Sequence, residues 1–162
     1  MTRILAAAVA AILLAGCQAA HATADNDAAD AKAFLTGIYS NYQTSNEDFT
    51  PLETPGDYFD PAMVALILQD QKQNDGDVGA FEVDPMCNCQ DYGKITADIK
   101  ILDVTATTAK AGVVLSDTMA PGERSIAYDL VKIAGHWRIH DIGYGADYPS
   151  LRQHIIDTDK TN

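Results

Sequence analysis

The chain has 162 residues, with 23 Asp+Glu against 11 Lys+Arg, a formal net charge of -12. Such a polyanion is repelled by nucleic acid and by anionic lipid head groups, which excludes nucleic-acid binding and membrane adsorption through a basic patch. What remains is a chain of single-domain size, long enough for a hydrophobic core that does not depend on disulfides.

At the start, Arg3 precedes an uncharged apolar run from Ile4 that closes on Leu14-Ala15-Gly16-Cys17. The run falls short of the roughly 20 apolar residues a spanning helix needs. A basic start, an apolar middle and small residues before a cut are the layout of a secretory signal. With its terminal cysteine the motif resembles the lipobox of bacterial lipoproteins. That resemblance implies a signal peptide over 1–16, cleavage before Cys17, and lipidation of the Cys17 thiol and new amino terminus. The plainer alternative is an ordinary secretory peptide with a chance cysteine, although such peptides more often close on Ala-x-Ala. Stable anchoring takes more than one acyl chain, which a triacylated lipoprotein supplies. Gln18 stands where an inner-membrane retention signal would have Asp. The expected partner is therefore the membrane, reached through Cys17 at the periplasmic face of the outer membrane.

Residues 17–30 are small, polar and acidic (QAAHATADNDAAD after the cysteine) and read as a flexible tether, or as an Ala-rich lead into the first helix. From Ala31, Phe34, Leu35, Ile38, Tyr39 and Tyr42 recur at helical spacing. Gln43 to Asp57 contains Pro51, Pro55 and Gly56 and reads as a loop. Asp60 can cap a second helix with Pro61 in its first turn. Met63, Val64, Ile67, Leu68 and Gln71 would form its inner side, and Asn74-Asp75-Gly76-Asp77 would end it. After an irregular stretch from Val78 to Gly93, the pattern changes to alternation. Ile95, Ala97, Ile99 and Ile101 face one way; Ala109, Ala111, Val113 and Leu115 do so in a second run. Two further strands, about Arg124–Ile133 and His136–Tyr144, are joined at Ala134-Gly135. Ser150 can cap a short final helix with Leu151, His154 and Ile155 inward.

Helices first and an antiparallel meander afterwards predict a single α+β domain over 31–158: N-terminal helices on a curved four-stranded sheet, then a short C-terminal helix. The order resembles the cystatin-like cone of the nuclear transport factor family, which often leaves a pocket between helices and sheet. Asp84-Pro85-Met86-Cys87-Asn88-Cys89-Gln90-Asp91 and Gly135-His136-Trp137-Arg138-Ile139-His140-Asp141-Ile142 add a second resemblance. With Tyr39-x-x-Tyr42 and Ser150-Leu151-Arg152, they are similar to domain of unknown function family 3828, an uncharacterised bacterial family that includes envelope lipoproteins. The resemblance implies a cone-like fold and an envelope location, and brings no established activity and no catalytic residues.

Cys87 and Cys89 are the two thiols left once Cys17 is acylated, in a compartment that oxidises thiols. Residues two apart reach disulfide distance if the chain turns. The favoured expectation is a disulfide pinning the 84–91 loop. Separately buried thiols, and a redox or metal pair, are the alternatives; zinc sites space thiols more widely, as Cys-x2–4-Cys. Asp84, Asp91 and Asp141 could converge near Tyr39, Tyr42 and His140 in a pocket, where paired carboxylates do acid–base work. Against that, Asp before Pro forms turns, and Asp141 could simply accept from a loop amide or pair in the neighbourhood of Arg138. Residues 71–82 fail as a calcium loop, because Gln71 and Gln73 stand where carboxylates are needed. His136 and His140 share strand parity and are expected on an exposed face. Trp137, Ile139 and Asp141 are expected on the other, with the Trp137 N–H hydrogen-bonded. No nucleophile elbow, P-loop or dinucleotide fingerprint occurs, and no cofactor or metal site is expected. The function expected from these features is a non-enzymatic binding module for an envelope protein or small ligand. The alternatives are an enzyme using pocket carboxylates or histidines, and an inhibitor of a cationic cell-wall hydrolase.

Overall fold

The computed structural model describes residues 10–43, 49, 51–75, 79–146 and 148–160, with 10–23 described by their backbone alone. Residues 1–9 of the expected signal, and the side chain of Cys17, lie outside the described residues. The elements are α1 (Ala10–Ser40), a 3-10 turn (Pro55–Asp57), α2 (Pro61–Gln73), β1 (Ile95–Val104), β2 (Thr108–Asp117), β3 (Glu123–Ile133), β4 (His136–Gly143) and α3 (Leu151–Asp159). This is the α+β arrangement expected: the strands form one open antiparallel sheet in the order β1-β2-β3-β4, and a short helix closes the chain.

Of the two readings of residues 18–30, tether or Ala-rich lead into the first helix, the helix is what forms: α1 runs through them. Alanine, the strongest helix former, recurs there often enough to offset the poorer Asp and Asn. Asp27 also pairs with Lys132 of β3, which ties this stretch to the domain. Further along α1, Ala31, Leu35, Ile38, Tyr39 and the following Tyr42 are buried against the sheet.

One face of the sheet supplies the rest of the core. Ile95 and Ile99, Ala109 to Leu115 in alternation, then Ile126, Tyr128 and Leu130 are buried, as period two requires. Two bulges interrupt the register. Leu102 is extra on β1 and is 67% exposed, while His140 is extra on β4 between the pairs Leu130↔Ile139 and Asp129↔Asp141. An extra residue moves every later side chain to the other face. Ile142, not Asp141, therefore follows Trp137 and Ile139 into the core, a correction to simple alternation. Trp137 is buried, but its Nε1 has no hydrogen-bond partner; the ring packs under Lys132 Nζ, 5.0 Å from the centroid.

The free edge of β4 is covered. Asp60 N donates to Ile139 O (2.9 Å) and Ile139 N to Tyr58 O (2.8 Å), so the chain before α2 adds a short parallel bridge. Asp60 then caps α2 through Met63 N (2.7 Å), and Pro61 occupies the first turn as expected. The inner side of α2 is Met63, Ile67 and Asp70 with part of Val64 and Leu66, whereas Leu68 and Gln71 point outward. Ser150 caps α3 through Gln153 N.

The β3–β4 turn places Ala134 (φ 50°) and Gly135 (φ 83°) both in the left-handed region, the requirement of a type I′ hairpin. An L-residue with Cβ is strained there by about 1–2 kcal/mol, and asparagine less so. Ala134→Asn is expected to raise stability by about 0.5–1 kcal/mol in urea unfolding. No gain would mean that the turn is not held in this conformation.

Candidate functional site

Between β1 and α2 in sequence, the loop from Asp84 to Cys89 folds into a closed knot. Asp84 Oδ1 accepts from Met86 N (2.8 Å), Asp84 N donates to Cys89 O (3.0 Å), and Asn88 N donates to Asp84 O (2.8 Å). Asn88 takes a positive φ of 50°, a conformation asparagine tolerates better than most residues. That reversal brings Cys87 and Cys89 to a Cα separation of 5.2 Å, and they are disulfide-bonded. Both cysteines are buried.

Four tyrosine hydroxyls hold this knot against the core. Tyr42 donates to Asp84 Oδ2 (2.6 Å) and Tyr144 to Pro85 O (2.7 Å). Tyr39 lies 2.8 Å from Met86 O and 2.7 Å from the Tyr128 hydroxyl. Tyr128 Oη also lies 3.3 Å from Met86 O, so the two hydroxyl protons are shared between that carbonyl and the bond joining the two rings. Burial pushes all four phenols well above their ordinary value, so they remain protonated donors. Burial also raises the Asp84 carboxyl, against the opposing pull of the Tyr42 hydroxyl and the Met86 amide.

Tyr42 and Asp84 are hydrogen-bonded beside Tyr39, with both rings buried in the core and, among the described residues, no single cavity lined by all three; Asp91, Asp141 and His140 do not join them. Asp91 is exposed. Asp141 organises the start of α3: Oδ1 accepts from Ile142 N (2.9 Å) and Arg152 N (3.0 Å), and Oδ2 accepts from Ser150 Oγ. That is the loop-amide role weighed for it, extended to a helix terminus. Sequence pattern did not gather Tyr128 and Tyr144 into the site. Tyr128 had a usable signal, since it shares parity with Ile126 and Leu130 on β3.

A second polar cluster was not anticipated. Asp60 bonds His140 Nδ1 through Oδ2, and Arg152 Nη2 reaches both carboxylate oxygens (3.2 and 3.3 Å) and His140 O (2.8 Å). Burial alone would raise Asp60. The Met63 amide, the His140 ring and the Arg152 charge outweigh it and hold the carboxyl below its ordinary value of 3.8. The cluster ties β4, α2 and α3 together, and it depends on the bulge that turns His140 toward Asp60.

Open space lies on both sides of the chain segment 81–85. A cleft of about 450 Å³ is lined by Phe49, Leu52, Glu53, Phe81 and Gln90, among others. A second, of about 340 Å³, is lined by Asn88, Tyr144, Tyr148 and His154. Phe81, Glu82, Val83 and Pro85 form a ridge with one side in each cleft. The Tyr148 and His154 rings pack 4.6 Å apart, and burial with the nearby Glu82 charge pushes Tyr148 up to about 12. Among the described residues, no group of three or more His, Cys, Asp or Glu is placed to hold a metal ion. No described helix is long and apolar enough to cross a membrane.

No family model, no curated protein and no solved structure matches the chain.

Proposed function

We propose that the chain is a lipid-anchored envelope protein whose α+β domain is a binding module, held through Cys17 at the periplasmic face of the outer membrane and docking another envelope protein. The observation that carries this reading is the use made of the central polar groups. Tyr39, Tyr42, Tyr128, Tyr144 and Asp84 all bond within the Asp84–Cys89 knot or to one another. They build a rigid support, and the ridge above it has open clefts on either side. Rigid loops on a packed scaffold are how proteins commonly present binding surfaces. The reading agrees with the lipobox-like start and with the resemblance to envelope lipoproteins of family 3828.

The experiment is photo-crosslinking in intact cells, with a photoreactive phenylalanine placed at Phe81 in the ridge. The same residue at Met119, 66% exposed and absent from both clefts, serves as the control. The reading predicts one adduct of defined mass from position 81 and none from 119. No adduct, or the same adducts from both positions, contradicts it.

A further inference from the structure

Charge is distributed unevenly along this chain. Residues 44–93 hold 11 of its 23 acidic residues and only one of its 11 basic residues, Lys72. That one segment therefore carries -10 of the net -12. It also supplies the ridge and all the lining residues of the larger cleft. Elsewhere, residues 94–162 hold nine acidic residues against eight basic ones and are close to neutral, and Arg152 reaches back to pair with Asp60 of the acidic segment.

The larger cleft combines this charge with apolar surface. Phe49, Leu52, Phe81 and Val83 are partly exposed there, beside Glu53, Glu82 and Asp84, and among the described residues no cation lines it. In the smaller cleft Glu82 lies near Tyr148 beside Tyr144, and among the described residues no lysine or arginine lines it. A carboxylate beside aromatic faces suits an ammonium or guanidinium group, which gains from both ion pairing and the ring quadrupole. Apolar walls suit an aliphatic or aromatic side chain.

Resting on the binding-module reading above, we propose that the occupant is an extended segment of a partner protein in which lysine or arginine alternates with large apolar residues. The segment crosses the 81–85 ridge, with an apolar side chain in the larger cleft and a basic one in the smaller. Neutral or acidic segments are disfavoured, because they would leave the exposed Glu53 and Glu82 covered without a countercharge.

The test is fluorescence anisotropy with a labelled ten-residue peptide of alternating lysine and leucine, titrated with the full-length protein in uncharged detergent at 0.15 M salt. Decalysine and a glutamate–leucine peptide are the comparisons. The proposal predicts saturable binding of the lysine–leucine peptide, at least tenfold weaker binding of decalysine, and none of the acidic peptide. Glu53→Lys with Glu82→Lys should weaken binding at least tenfold. Asp98→Lys with Glu123→Lys makes the same change in net charge away from the clefts and should alter it less than twofold. All four side chains are exposed, and circular dichroism before titration confirms that each variant is folded. Equal loss from both variant pairs, or equal binding of decalysine, would mean attraction by bulk charge and would overturn the proposal. Absence of binding by the lysine–leucine peptide would also overturn it. If the cellular adduct at position 81 persists in that case, the binding-module reading stands and only the partner's chemistry is wrong.

Discussion

Asp60→Ala is expected to lower stability by about 4 kcal/mol at neutral pH, the largest loss of any single polar substitution considered. Loss of the α2 cap accounts for roughly 1 kcal/mol. The larger part, about 3 kcal/mol, comes from breaking a buried ion pair and leaving Arg152 without its countercharge. The Asp60 side chain is only 7% exposed and that of Arg152 is 21%, so water does little to compensate. For a chain of this length the shift in Tm is on the order of 10 °C. His140→Ala removes a ring that is 46% exposed and should cost less than about 1 kcal/mol. The pH dependence has a definite sign. The folded Asp60 carboxyl lies below 3.8, so its contribution is complete above that value and disappears as pH falls through the folded pKa. The gap between the wild type and Asp60→Ala should therefore be full at pH 7 and should shrink in strong acid. A gap of the same size at both extremes would assign the loss to packing instead.

Tyr42→Phe is the second large effect, about 3 kcal/mol at neutral pH, because it removes the donor from a buried carboxylate oxygen. Here the sign is reversed. Asp84 is raised by burial, so the unfolded chain ionises first as pH rises past 3.8 and the folded state loses ground until its own carboxyl ionises. Loss of the Tyr42 hydroxyl raises the folded value further and prolongs that decline. The deficit should be small near pH 4 and full at pH 7, measured by urea unfolding at both. Tyr144→Phe removes a neutral bond to Pro85 O and should cost about 1 kcal/mol at either pH. Equal deficits for Tyr42→Phe at pH 4 and pH 7 would show that the hydroxyl does not act through Asp84.

Much of this architecture was legible in the residues. Alternation over 95–115 and the cap signals at Asp60 and Ser150 are local, and each produced the element it announced. The pairing of Cys87 with Cys89 was legible too, since two residues that close need only a turn, which Asn88 provides. What local pattern missed came from bulges and distant contacts. The extra residue at His140 reverses parity on β4, which moves Ile142 inward and leaves Asp141 to cap α3. The resulting contact between His140 and Asp60 joins residues 80 positions apart, beyond the reach of any periodicity. Asp70 is buried on α2, where Gln71 was expected, because it accepts from Ala80 N (2.9 Å) in the following loop. For residues 18–30 the composition left coil and helix both open: small polar residues suggest a coil, yet the alanines among them favour the helix that forms, with Asp27 paired to Lys132.

The proposed anchor at Cys17 would set the compartment, the oxidising surroundings of the disulfide and the kind of partner within reach. Intact-mass and peptide mass spectrometry of the protein isolated from its native membranes tests it directly. The account predicts a mature chain beginning at residue 17, with acyl groups on both the thiol and the amino terminus. An unmodified cysteine, or a chain that still carries residues 1–16, would contradict it.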